Sequence, residues 1–198
     1  EAAAAMKQIA KSGKKILFVA TKKQAQEILQ TQMAEINMPY VTERRPGGML
    51  TNFVTIRKAI RKMASIDKMK LDGTFETVSK RERLQINRQR EKLEKDFGSI
   101  ADLTRLPAAL FIIDINKEHI AVKEAKKLNI PTFAIVDTNA DPRQVDFPIP
   151  GNDDASQSIS KIVSLMAEAI KEGLSERKVD REKSKDDKPE MASEETNA

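Results

Sequence analysis

Apolar residues in this chain come in short unbroken runs, separated by stretches where they recur every three or four positions. Runs without alternation predict strands covered on both faces, and three-four recurrence predicts helices with one buried side. The opening EAAAAMKQIAKSG predicts a helix closed by Gly13. KKILFVAT (14–21) predicts a buried strand. TKKQAQEILQTQMAEI (21–36) then predicts a helix with Ala25, Ile28, Leu29, Met33 and Ile36 near one face. Thr21 and Gln24 fit a capping box at its start. Pro39 interrupts, and YVTE (40–43) predicts a second strand.

The same grammar returns after residue 100. AALFIIDI (108–115) predicts a strand, KEHIAVKEAKKLN (117–129) a helix and TFAIVDT (132–138) a strand. A proline-rich connection follows, with a short strand at VDFPI (145–149). The helix at 155–173 turns Ile159, Ile162, Val163, Met166 and Ile170 inward. Buried strands alternating with helices of this length predict an α/β fold. Its core is a parallel sheet flanked by helices, flavodoxin-like or Rossmann-like.

Between the two blocks the pattern changes. Residues 51–70 and 78–97 read as two helices joined by LDGTFETV. Phe53, Ile56, Ile60 and Met63 line the first; Ile86, Leu93, Phe97 and Ile100 line the second, with Arg90 at one seam position. This predicts an inserted antiparallel helical coiled-coil hairpin over 51–100, with a seam too thin to stand alone. The sheet domain is then discontinuous, 1–50 and 101–173. Residues 174–198 are charged and poor in apolar side chains, which predicts a disordered tail.

Composition narrows the function. The 198 residues carry a formal charge of +5. The first 97 hold twenty-one Lys/Arg against eleven Asp/Glu, and the remainder fourteen against nineteen. A basic half facing an acidic one points to a polyanionic partner. There is no cysteine, which excludes disulfides and thiolate metal sites and fits the cytoplasm. No apolar run is long enough to span a membrane, so no membrane partner is expected. With a single histidine, His119, in the first turn of a helix, no metal site is expected either.

The stretch RRPGGMLTNF (44–53) resembles a phosphate cradle only superficially. It is neither GxGxxG nor GxxxxGK[ST], and SGKKILF places its glycine before the strand instead of after it. No cofactor or small-molecule substrate follows from either. Asp114 and Asp137 close two strands, where α/β enzymes place their sites. Aspartate is also common there as a backbone-capping residue, and no nucleophile or histidine pair stands beside them at motif spacing, which favours the structural reading.

The cations are more informative. Lys22 and Lys23 open a helix, a place that suits a bound phosphate. Arg57, Lys58, Arg61 and Lys62 flank the apolar stripe of the first hairpin helix, with Arg44 and Arg45 at its base. Together these predict a track for a phosphate backbone. Seven Phe, one Tyr and no Trp disfavour base stacking, so folded double-stranded RNA read by backbone and shape is the expected ligand.

KKILFVATKKQAQE, RPGGMLTNF, GTFE, NRQREKLEKDFGSI, LPAALFIIDINKEHIAVKEAKKLNIPTFAIVDTNADP and DFPIPGNDDA, in this order, resemble the bacterial small-subunit ribosomal protein S2 family from about residue 14 to 173. The resemblance implies a non-enzymatic, cytoplasmic constituent of the small ribosomal subunit. It would bind small-subunit rRNA, serve translation and help dock neighbouring small-subunit proteins, including the large mRNA-binding protein S1. GGMLTN then becomes a structural corner, its glycines turning the chain and Thr51 or Asn52 capping the hairpin. Thr51 and Asn52 therefore join the expected RNA-proximal set. Two departures stand out: the family's N-terminal arm with its GxHxGH-like motif is absent from this sequence, and Arg45-Pro46 replaces a common Trp-Leu pair. The alternatives are an α/β enzyme using Asp114 and Asp137, or a free-standing RNA-binding regulator.

Overall fold

The computed structural model describes residues 1–186 of the chain. Its centre is a five-stranded, all-parallel sheet. The strands are β1 (Ile16–Val19), β2 (Tyr40–Val41), β3 (Ala109–Ile113), β4 (Thr132–Val136) and β5 (Phe147–Pro150), in the spatial order β2-β1-β3-β4-β5. Every residue of β1, β3 and β4 is buried. That is why these runs lack alternation: both faces of the sheet are covered.

Alternate residues of each strand feed two cores. Ile16, Phe18, Phe111, Ile113, Phe133 and Ile135 point to one face. There they meet Met6 and Ala10 of α1 (Ala2–Lys11), Leu29 and Met33 of α2 (Lys23–Glu35), and Ile159, Val163 and Ile170 of α7 (Ser156–Asp186). Leu17, Val19, Leu110, Ile112, Ala134 and Val136 point to the other face. Their partners are Ala121, Val122 and Ala125 of α6 (His119–Lys127), together with Met49 and Leu50 from the glycine corner.

The chain runs outward from β1 to β2, then returns across the sheet to β3. Within that crossing lie α3 (Phe53–Leu71), the short α4 (Thr74–Thr77) and α5 (Lys80–Phe97). Ile56 of α3 and Phe97 of α5 are buried in the second core, with Phe53, Ile60 and Leu93 packed against it. Farther out, Arg90 bonds Asp67 at 2.6 Å across the pair. These pairings run the two helices antiparallel, with a base clamped by the sheet domain and a thin seam beyond it. The Ser79 hydroxyl caps α5 by accepting the Glu82 N–H, satisfying one donor that the helix start leaves open.

Three local expectations need correcting. Thr21 and Gln24 form no capping box: α2 begins at Lys23 after Lys22, without a side-chain cap. The Thr21 hydroxyl instead donates to Glu118. The tail expected to be disordered from residue 174 continues α7 as far as Asp186. Leu174 packs on the first core, and Glu176 and Asp180 pair with Lys7 and Lys11 of α1. Charge read as solvation is spent on a neighbouring helix. Residues 187–198 of that expectation lie outside the described residues. Third, Asn52 does stand at the N-cap of α3, but its side chain accepts from the Thr55 hydroxyl at 2.8 Å, and no backbone N–H is capped.

Gly173 lets α1 and α7 cross closely. A Cβ there would fall 2.4 Å from the Lys7 carbonyl oxygen and 3.2 Å from the Lys11 nitrogen.

Candidate nucleic-acid interface

Strand order reverses between β1 and β3, and the crevice at their carboxyl ends is where open α/β sheets place ligands. Here side chains of the chain itself occupy it. The Lys22 ammonium lies 2.9 Å from Asp114, 2.7 Å from Asp153 and 2.7 Å from Asp154. Asp114 takes a left-handed φ of 69°, which Asp tolerates better than most residues. The conformation lets its other oxygen accept the N–H groups of Asn116 (3.0 Å) and Lys117 (3.1 Å). Asp137 accepts from the backbone of Thr138 and Asp153. Both strand-end carboxylates are therefore engaged in shaping loops.

The titration of this cluster follows from three acids sharing one base. Burial pushes the Lys22 ammonium down, but its bonds to Asp153, Asp154 and Asp114 outweigh that and hold it above its ordinary value. Asp153 is pushed up, mainly by burial and also by the neighbouring carboxylates Asp114 and Asp154, although Lys22 pulls the other way. The backbone bonds from Thr138 and Asp153 lower Asp137. Asp137, Asp153 and Asp154 each bring an oxygen within 4.8 Å of the others, a spacing able to hold a cation. Lys22 already supplies positive charge to two of the three. Phosphate binding at Lys22, expected from its place before α2, is thus corrected: its charge is compensated internally. Lys23, one residue on, is exposed.

The glycine corner is built around one carboxylate. Glu124 of α6 is 7% exposed and accepts the backbone N–H groups of Gly48 (2.9 Å), Leu50 (2.8 Å) and Thr51 (3.0 Å). The Thr51 hydroxyl also donates to it at 3.3 Å, and Arg45 pairs with it at 3.2 Å. Burial pushes this carboxyl up, yet the bonds from Thr51, Leu50 and Gly48 and the Arg45 charge carry it below its ordinary value. Gly48 itself sits at φ 82°, in the left-handed region where glycine carries no Cβ penalty.

Arg45 is a second correction. Its side chain is 2% exposed and committed to Glu124, so it is no surface cation. Its Nε and Nη2 are buried without partners. The guanidinium occupies an interior position beside the corner, where an apolar side chain would leave nothing unpaired. Thr51, too, spends its backbone and hydroxyl donors on Glu124.

The remaining cations fare differently. Arg44 is exposed, as are Lys58, Arg61 and Lys62 along α3. Arg57 is half-buried and donates to the Thr104 carbonyl at 3.0 Å, which fixes the basic flank against the sheet domain. His119 is exposed beside the Asn116 carbonyl, with Nδ1 at 3.1 Å.

Sequence reasoning missed Glu124 and the pair Asp153-Asp154. Glu124 lies among Ala121, Val122 and Ala125 on the buried side of α6, and a carboxylate on an apolar face signals a buried donor set. The consecutive acids after β5 offer no comparable signal, because Lys22 reaches them only in the fold.

Comparison with known proteins adds a family match. The family model described as Ribosomal protein S2 matches residues 1–173. The chain is 69% identical over 178 residues to the small ribosomal subunit protein uS2 of Christiangramia forsetii, covering 90% of this chain and 60% of the relative. It is 68% identical to that of Flavobacterium johnsoniae, covering 92% and 72%. With the protein of Phocaeicola vulgatus the identity is 66%, over 91% and 65%. The chain thus spans about 60 to 72% of the length of these relatives.

Proposed function

The chain belongs to the ribosomal protein S2 family, and from that membership we propose that it acts as a structural, non-enzymatic constituent of the small ribosomal subunit. It serves translation in the cytoplasm by binding small-subunit rRNA. The observation that carries the RNA-binding part is the α3 flank: Arg57, Lys58, Arg61 and Lys62 beside a stripe whose lower end is locked into the sheet domain. A rigid base lets a row of cations hold a phosphate backbone in a fixed register. Arg44 at the corner and Lys23 at the start of α2 extend the basic surface, while Thr51 and Asn52 shape the corner. The inserted pair 51–100 works as an arm of the sheet domain formed by 1–50 and 101–173.

The crevice supports the non-enzymatic reading, since Lys22 bonds three carboxylates where an α/β enzyme would receive its substrate. Family membership supports contacts with neighbouring small-subunit proteins, including the large mRNA-binding protein S1. No helix among the described residues is long and apolar enough to cross a membrane.

The test is RNA affinity against salt for the protein and for the single variants Arg57→Gln, Lys58→Gln, Arg61→Gln and Lys62→Gln. Each should weaken binding similarly across RNA sequences and make the log–log salt slope shallower by roughly one unit or somewhat less. Slopes equal to that of the parent protein would reduce the flank to a solvated face. Co-sedimentation of the native protein with small subunits checks the assembly claim independently, and recovery only as free protein would sink it.

A further inference from the structure

At the opposite, amino-terminal end of the sheet lies a cleft of about 460 Å³, apart from the crevice and the glycine corner. Its walls are the turn before β1 and the segment between α5 and β3, tied together by the Ala108 N–H donating to the Lys15 carbonyl at 2.9 Å. Lys14, Lys15 and Arg105 line it, and Asp102 is the one carboxylate among its lining residues. All three cations are exposed. Lys15 also donates to the Asn37 carbonyl, which lies outside the cleft's lining and tethers the side chain on that side. The floor is apolar, formed by buried Leu103 and by Leu106, which is 44% exposed.

Two further observations say what such a cleft suits. The Thr104 carbonyl in its wall is the acceptor for Arg57, so the basic flank of α3 runs directly into it. On the other side Gly13 lies under the Arg177 guanidinium, 1.9 Å from where a Cβ would stand. The cations thus continue from α3 through the cleft to α7. We infer that this cleft binds the phosphate backbone of an unpaired RNA segment. Its size falls within the roughly 300–1,000 Å³ of sites that enclose small molecules. That volume is enough for a nucleotide and too small to enclose a duplex. With leucines and no aromatic ring at the floor, a base would be held by apolar contact and without sequence preference. The proposal rests on the RNA-binding reading above and adds to it a site with a different strand preference.

The experiment compares the full chain with Lys14→Gln/Lys15→Gln/Arg105→Gln, and with a hairpin variant, Lys58→Gln/Arg61→Gln/Lys62→Gln. Probes are a fifteen-residue oligouridine and a blunt RNA duplex of equal charge, titrated across salt. Lys14→Gln/Arg105→Gln, which keeps the Lys15 tether, serves as a second cleft variant if the triple one melts early. The cleft variant should bind oligouridine about tenfold more weakly and lose roughly two units of salt slope, near 0.7 for each lost phosphate contact. Its duplex affinity should change far less, and the hairpin variant should show the reverse preference. Unchanged oligouridine binding in the cleft variant overturns the inference, as does equal loss on both RNAs, which would indicate only a general charge effect. Displacement of oligouridine by a polyglutamate peptide at lower concentration than by free oligouridine overturns it in favour of an acidic protein partner. If the cleft variant behaves like the parent while the hairpin variant loses duplex binding, the cleft alone fails. If the parent binds neither RNA, the RNA-binding reading fails with it.

Discussion

Replacing Glu124 by Gln should release the glycine corner. Its two oxygens receive Gly48 N, Leu50 N, Thr51 N, the Thr51 hydroxyl and Arg45 Nη1. An amide has one oxygen, so in either orientation its NH2 group faces donors. With the oxygen toward Leu50 and Thr51, the Gly48 N–H and Arg45 lose their acceptor; reversed, the Leu50 and Thr51 N–H groups lose theirs. A buried donor left open costs about 1–3 kcal/mol. Two of them, one partly reachable by water, predict a loss of about 2–4 kcal/mol. Urea unfolding measures it as a lower midpoint at unchanged slope. The acid dependence supplies the sign. The folded Glu124 carboxyl lies below its ordinary value, so its contribution is complete above the unfolded value, about 4.3. That contribution fades as pH falls through the lower folded value. The gap between the parent protein and Glu124→Gln should therefore be constant from neutral pH down to the unfolded carboxyl value and narrow as pH falls below it. Arg45→Met is the matched control. It removes one ion-pair partner but leaves Glu124 its backbone donors and also removes two buried guanidinium nitrogens without acceptors, so its loss should be smaller than that of Glu124→Gln. If Arg45→Met proves as damaging as Glu124→Gln, the ion pair and not the backbone cradle holds the corner. A gap below about 0.5 kcal/mol for Glu124→Gln would refute the cradle altogether.

Lys22→Met leaves Asp114, Asp153 and Asp154 facing one another without a base, and should cost about 3 kcal/mol or more in denaturant unfolding; a neutral result would show that the loops simply open to water. Gly173→Ala places a Cβ 2.4 Å from a backbone oxygen of α1, and should lower stability by about 1–3 kcal/mol as the two helices are forced apart. An unshifted melting curve would mean that α1 docks less tightly than described. Ending the chain at residue 173 should expose the α1 face and remove the Leu174 contact, about 1 kcal/mol, with the exposed ion pairs of Glu176 and Asp180 adding little. Faster amide exchange in α1 is the readout, and unchanged exchange would show that this part of α7 supports nothing.

The elements of the sheet domain were legible because burial leaves a local mark. Ile16–Val19, Ala109–Ile113 and Thr132–Val136 are unbroken apolar runs since both faces of the sheet are covered, and that condition acts on each residue separately. The basic stripe of α3 was legible for the same reason: helical geometry alone puts Arg57 and Arg61 on one side. What only tertiary structure decided is which charges are free. Lys22 and Lys23 are neighbours of one type, yet one is bound to three carboxylates and the other is exposed. Arg44 and Arg45 divide in the same way at the corner. A charge is spent or spare according to what the fold carries to within about 4 Å of it. For Lys22 those partners come from the ends of β3 and β5, and for Arg45 from α6. Helix periodicity carries no term for segments so far apart in sequence, so the chain announced its basic surface and the fold selected the cations that remain to form it.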